Sequence, residues 1–184
     1  ALPPDTAFQT VRIQSITPMP DYVLRDPDGN WLARYTLTPA SGMDIEVQLV
    51  VTVKLKPHEG YQDELADEGE YRKPQRFWEA DNPKIVDLAK TYTTPRAIYE
   101  YVVRTLRYDY GRVGENPIRK GALQALTTPN TAICMEFTDL FIAIARAAGI
   151  PAREVLGYAY TTNSRLRPLS LVADVLHAWP EYYD

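Results

Sequence analysis

The sequence predicts an α+β fold, a small antiparallel β region followed by a core of helices and sheet, and three observations carry that reading. Apolar residues fall on every second position from Ile45 to Leu55, they shift to helical spacing beyond Pro74, and a stretch rich in acidic residues and Gly separates the two patterns. At 184 residues the chain can hold one substantial core or two small ones. Hydrophobic content of 45% and charged content of 24% match an ordinary globular domain and exclude disordered, collagen-like and membrane classes.

In the first region Ile45, Val47, Leu49, Val51, Val53 and Leu55 line one face of an extended strand. Trp31, Ala33, Tyr35 and Leu37 repeat the pattern one strand earlier, and Val11 and Ile13 suggest another. Asp28-Gly29 and Ser41-Gly42 supply turn residues. Residues 1–56 therefore read as a β-rich domain. Residues 57–73, with Pro57, Gly60 and Gly69 among Glu59, Asp63, Glu64, Asp67, Glu68 and Glu70, read as a solvated acidic linker in which His58 is merely exposed.

Beyond it, Asn82-Pro83 and Thr94-Pro95 each place a capping side chain before a Pro at the first helical position. Ile85, Leu88, Ala89 and Tyr92 follow the first signal, and Ile98, Tyr101, Val102 and Leu106 the second. Gly121 to Leu126 predicts a short third helix. From Cys134 to Ala148, Phe137, Leu140, Phe141, Ile144, Ala145 and Ala148 fill one stripe, ended by Gly149 and Pro151. Two β segments, about 152–161 and 174–183, close the chain.

Chemistry concentrates at two residues. Cys134 is the sole Cys, so no intrachain disulfide forms, and it opens the long helix. There the unpaired N–H groups and the macrodipole favour a thiolate and can receive an oxyanion. A lone Cys on an apolar helix face also packs as a small hydrophobe, so position alone leaves both readings open. His177 lies in the strand-like Val175-Leu176-His177-Ala178-Trp179, where it can return alongside Cys134 as its base or serve as a packed core residue. Arg153 reads as half of a structural ion pair. Tyr158 either lines a cleft or packs, and of Tyr101, Tyr108 and Tyr110 it is Tyr108 that is expected nearest the site.

The linked motifs Cys134-Met-Glu-Phe-Thr-Asp-Leu-Phe, Ala145-Arg-Ala-Ala-Gly-Ile-Pro-Ala-Arg153, Gly157-Tyr158 and His177-Ala-Trp179 closely resemble the core of the transglutaminase-like superfamily over about residues 75–184. Tyr108 and Arg119-Lys-Gly-Ala122 resemble family features too, and the segment with Asp28-Gly29-Asn30 resembles the β region preceding this core in some bacterial and archaeal members. The resemblance implies a papain-like core over 74–184. It also implies a catalytic dyad of Cys134 and His177, and acyl transfer on amide or peptide bonds as a cysteine protease, amidase or transglutaminase-like enzyme. Ala132 stands where many members have Gly, which suggests a tighter approach to the nucleophile. The family's third catalytic residue, an Asp on the strand after the His strand, is expected beyond Asp184, so the core reads as truncated at its C-terminus. The alternative from another class is a non-catalytic scaffold or interaction module on the same fold.

Partners follow from composition and family together. A protein or peptide substrate is expected. A net charge of −4 with scattered Lys and Arg argues against nucleic acid. One Cys and two distant His offer no metal cluster, and no cofactor is implied. No apolar run nears the roughly 20 residues that span a bilayer. The amino terminus lacks signal-peptide features, yet Ala1 is not an initiator Met, so the compartment stays open and an extracytoplasmic place in a longer parent is one reading.

Overall fold

The computed structural model describes residues 1–37, 42–57, 68–113, 117–158 and 176–183. The chain divides into two compact units, 1–66 and 67–184.

In the first unit β1 (Gln9–Thr17) pairs antiparallel with β4 (Glu46–Val53), and β2 (Tyr22–Arg25) with β3 (Trp31–Arg34). The register places Val11 opposite Val51, Ile13 opposite Leu49 and Ile16 opposite Val47, so the apolar alternation of one strand meets that of the other. A shift between Ile13 and Ser15 keeps the two stripes in phase. The β2–β3 turn falls at Asp28-Gly29, as the sequence suggests. Asp26 closes it by accepting from the Gly29 and Asn30 backbone N–H groups at 3.0 and 2.8 Å. Alternation sets strand and register here but not burial: Ile45, Val51, Val53 and Leu55 are all exposed. Ser41 and His58 lie outside the described residues.

In the second unit the caps act as their sequences dictate. The Asn82 side chain accepts from the Lys84 N–H at the start of α1 (Pro83–Thr91), and Thr94 accepts from Ala97 N–H at the start of α2 (Pro95–Thr105). A short α3 (Ala122–Thr127) follows, then α4 (Cys134–Ala147). Gly149, at φ +82°, ends α4. Its N–H bonds the Arg146 carbonyl, and the next N–H, of Ile150, bonds Ala145 at 2.9 Å, a Schellman closure that needs a left-handed residue.

The sequence predicts one apolar stripe on α4, and the structure encloses far more of it. Leu140, Ile142, Ala143, Ile144 and Ala145 are all fully buried, with Ile85 of α1, Ile98 and Val102 of α2 and Ala125 of α3 in the same cluster. Helices pack on one side, and the sheet of β5 (Ala152–Tyr158) and β6 (Leu176–Tyr182) packs on the other. α4 is thus the central element, and apolar on nearly every side because nearly every side is covered.

The expected linker differs at its carboxyl end. Tyr71 is buried in a 3₁₀ turn, Glu70–Arg72, and stacks on Tyr183 with ring centroids 6.0 Å apart. Arg72 Nε donates to the Gly149 carbonyl at 2.9 Å, and Arg146 Nη1 to that of Lys73 at 2.7 Å. Residues 68–73 are therefore part of the second unit, because one aromatic and two Arg side chains outweigh the acidic composition around them.

β5 and β6 pair antiparallel with Gly157 opposite His177 and Val155 opposite Trp179. A Cβ at Gly157 would come within 2.9 Å of the Trp179 ring. Gly157→Ala is expected to destabilise the chain by about 1–3 kcal/mol, as overpacking does, in urea unfolding. An unchanged midpoint would show that the Trp179 ring does not lie across this position.

Candidate active site

The start of α4 is fixed by a carboxylate. Ile133 is extended and has no polar side chain, so it cannot cap the helix itself. Glu136, in the first turn, reaches back to accept from the Ile133 N–H at 2.9 Å, the half of a capping box that Ile133 permits. Glu136 is fully buried and takes further donors from Arg112 (Nη1 at 2.9 Å, Nη2 at 3.3 Å) and from the Lys120 backbone N–H at 3.1 Å. A buried charge is tolerable only when paired and hydrogen-bonded, and here it is both. Its place in the first turn also suits the helix macrodipole.

A strap of chain lies beside this turn. Arg107 and Asp109 donate through their N–H groups to the Pro129 and Ala132 carbonyls at 2.7 and 2.8 Å, and Ala132 N–H donates to Arg107 at 3.2 Å. Tyr108 and Ala132 therefore pair in parallel, two residues ahead of Cys134. Ala132 is extended and fully buried, a conformation open to any residue, so the backbone here does not require Gly. The Asp109 side chain caps the next turn by accepting from Gly111 N–H at 3.0 Å, and Arg112 at that turn's end reaches Glu136.

This strap delivers Tyr108 to Cys134, as the sequence reading expects. Tyr108 lies close enough to Cys134 for that residue's thiol and backbone N–H to influence the phenol. Burial, and after it the neighbouring Cys134, raises the Tyr108 hydroxyl above its ordinary range, so it remains a protonated donor at neutral pH. The ring packs beside Phe137 at 6.1 Å and Tyr110 at 4.9 Å. Cys134 is partly exposed.

His177 sits on β6, the strand packed against α4, with its ring 6.2 Å from that of Trp179. Burial holds its pKa below the ordinary value, which keeps the imidazole neutral at neutral pH. Among the described residues no hydrogen bond joins His177 to Cys134. Arg153 pairs with Glu181 at 2.7 Å and lies over the Tyr71 and Tyr183 rings, a structural ion pair as its sequence context suggests. Tyr158 ends β5 opposite Leu176, but its side chain and Asp184 lie outside the described residues.

Sequence reasoning missed two buried carboxylates on α4, Glu136 and Asp139, because attention to apolar spacing passes over polar residues on the same faces. The available signal for Glu136 was an acidic residue at the third helical position. Asp139, also fully buried, accepts from Trp78 Nε1 at 2.8 Å and from Arg119, whose Nη1 bonds Glu154 of β5 at 2.9 Å. Burial pushes the Asp139 carboxyl up to about 6, against the opposing pull of Arg119 and Trp78. Arg119 is itself disfavoured by burial but is raised overall by its bonds to Asp139 and Glu154, so it stays charged.

The sign of the Asp139 effect follows. Between pH 4 and 6 the folded chain holds the proton more tightly than the unfolded one, so this group's contribution is greatest at low pH and is lost as pH rises towards about 6. Asp139→Asn should remove that component, making the variant's stability curve rise relative to wild type over this interval by up to about 3 kcal/mol. Parallel curves from urea unfolding at pH 4 to 7 would show that Asp139 does not titrate there.

Among the described residues no group of His, Cys, Asp and Glu could hold a metal ion, and no helix is long and apolar enough to cross a membrane. A solved protein from Cytophaga hutchinsonii, provisionally named a cysteine protease, is similar in fold, with a TM-score of 0.58 at 20% identity. The match covers 97% of this chain and 64% of that one, so the present chain spans less than two thirds of that neighbour's length. No curated protein matches the sequence at comparable stringency. The family profile described as the Transglutaminase-like superfamily matches residues 82–184, more than half of the chain and the whole of the Cys134 to His177 region. With an enclosed central helix opening at Cys134 and a hairpin carrying His177 against it, the chain belongs to the transglutaminase-like superfamily.

Proposed function

We propose that this chain performs thiol-dependent acyl transfer on amide or peptide bonds, as a cysteine peptidase or amidase or as a transglutaminase-like enzyme. Cys134 is the nucleophile and His177 its base. The observation that carries the reading is Cys134, partly exposed in the first turn of the buried helix α4, with Tyr108 held beside that turn through Ala132.

The sulfur, deprotonated by the neutral His177 imidazole, attacks the carbonyl carbon of the substrate amide, and the π electrons move to oxygen. In this reading the Cys134 N–H and the protonated Tyr108 hydroxyl are the two donors to that oxygen. Collapse breaks the C–N bond, and the amine leaves with the proton held by His177. Water or a second amine, deprotonated in turn by His177, attacks the thioester and frees Cys134. The first outcome is hydrolysis and the second is cross-linking. The chemistry requires the His177 ring to come within roughly 3 to 4 Å of the sulfur. A protein or peptide is the acyl donor.

A second reading, a non-catalytic scaffold, is favoured by one observation: burial, rather than a thiol partner, accounts for the His177 shift. One set of measurements separates the two. With a glutaminyl peptide as donor, mass spectrometry should detect an acyl adduct on Cys134 that is lost in Cys134→Ala. Tyr108→Phe should lower kcat by roughly 10²-fold, the loss of one oxyanion donor, while iodoacetamide still labels the sulfur. The pH–rate profile should fall on the acid side with a midpoint below 6.5, because His177 must shed its proton to act and its pKa is depressed. No adduct, and no acid limb attributable to His177, would leave the scaffold reading in place.

A further inference from the structure

The first unit carries an open sheet edge. β1 and β4 form a two-stranded sheet, so each strand has one lateral edge that the other does not cover. The Lys54 N–H donates to the carbonyl of Phe8, one residue ahead of β1, at 2.7 Å. By strand alternation the even-numbered residues of β4 therefore bond β1, while Val47, Leu49, Val51 and Val53 turn their N–H and C=O groups outward. The outer edge of β1 is closed. Val11 N–H donates to Asp5 Oδ1 at 2.7 Å, Gln9 N–H to the Thr6 carbonyl at 3.4 Å, and the register shift between Ile13 and Ser15 interrupts the rest. No such cover lies along β4 among the described residues. Leu2 is the only buried apolar residue described in this unit, and Val51 and Val53 remain 40% and 72% exposed. A two-stranded sheet with its apolar stripe in water is marginal by itself.

β4 and its flanks are complementary to themselves. Laid antiparallel on a second copy about Val50, the segment places Glu46 opposite Lys54, Gln48 opposite Thr52, Leu49 opposite Val51 and Val47 opposite Val53. Asp44 and Lys56 fall opposite one another one step farther out, as do Ile45 and Leu55. Acid meets base, and apolar meets apolar. All four charged side chains are exposed, and Gln48 Nε2 holds the Glu46 carboxylate on their shared face at 2.7 Å. A slip of two residues either way keeps only one of the two ion pairs, and a slip of one puts the outward-facing backbone groups out of phase. We propose that this chain self-associates through the open edge of β4, which pairs antiparallel with β4 of a second copy about a two-fold axis at Val50. The result is a four-stranded sheet in the order β1, β4, β4, β1, with the apolar stripes of both copies continuous on one side. The contact is isologous, so each ion pair occurs twice. Lys on an edge strand ordinarily opposes pairing, but here each Lys meets an acid and the same charges select one register. The inference does not depend on the reading of Cys134 as nucleophile.

Sedimentation velocity and cross-linking test it together. The chain, followed from about 1 μM to about 1 mM, should show an equilibrium between monomer and dimer. Glu46→Lys and Lys54→Glu should each raise the dissociation constant roughly tenfold or more, since like charges then face each other twice per interface. Combining the two reversals restores acid opposite base and should return the constant to within about threefold of wild type. Val50 faces its own copy as a non-hydrogen-bonded pair about 4.5 Å apart at Cα, within disulfide reach. Val50→Cys should therefore cross-link to itself under mild oxidation, whereas Val51→Cys, whose position is displaced from its own copy, should not. Peptide mass spectrometry identifies the bonded thiols and separates them from Cys134. A monomer throughout the range, a dimer indifferent to both single reversals, or no more cross-linking of Val50→Cys than of Val51→Cys would each overturn the proposal.

Discussion

The buried carboxylate of Glu136 holds the site together. It accepts from the Ile133 N–H that opens α4, from the Arg112 guanidinium that ends the Tyr108 strap, and from the Lys120 N–H in the segment leading to α3. Three stretches of chain distant in sequence are therefore positioned by one fully buried group. A charge in that place is strongly disfavoured unless every donor is present, so its burial and the order of the strap depend on each other. The relation of Tyr108 to Cys134 is a consequence, since the strap that carries the phenol is fastened on one side to Ala132 and on the other to Glu136.

A second polar knot lies farther along the same helix. Asp139, Arg119, Trp78 and Glu154 link α4 to β5, the strand whose partner carries His177. The two knots divide the work: one sets the environment of Cys134, the other ties β5 to the helix. The remaining contact surface of α4 is apolar and non-directional. Leu140, Ile142 and Ile144 supply burial but would tolerate sliding and rotation, whereas two directed ion pairs would not. Among the described residues one Glu154 oxygen, Oε1, is buried without a hydrogen-bond partner, which is consistent with a network whose geometry is dictated mainly by Arg119 and Asp139.

The same arrangement suits the proposed chemistry. A helix start offers N–H groups to a developing oxyanion, and the cationic neighbours of Glu136 balance its charge, so the first turn is not left with an uncompensated anion beside the thiol. Tyr108 on the strap then supplies a protonated hydroxyl near Cys134.

The sequence by itself determined the elements whose causes are local. Asn82-Pro83 and Thr94-Pro95 mark helix starts because a capping side chain and a proline act on adjacent backbone, and Gly149 marks an end because a Schellman closure needs a left-handed residue. β1 and β4 are legible as strands because a two-residue period is a property of the strand alone, whereas their pairing with each other came from the structure. Cys134 and His177 stood out as rare residues in linked motifs, and Tyr108 was placed near them through the same resemblance. The tertiary structure decided whatever depends on partners remote in sequence. Tyr71 reads as linker until Tyr183 and Arg153 cover it. Glu136 and Asp139 read as surface charges on an amphipathic helix until Arg112 and Arg119, contributed by loops, enclose them. Hydrogen-bond partners across the fold decide these cases, because the free energy of burying a charge or a ring is set by its neighbours and not by its position in the chain.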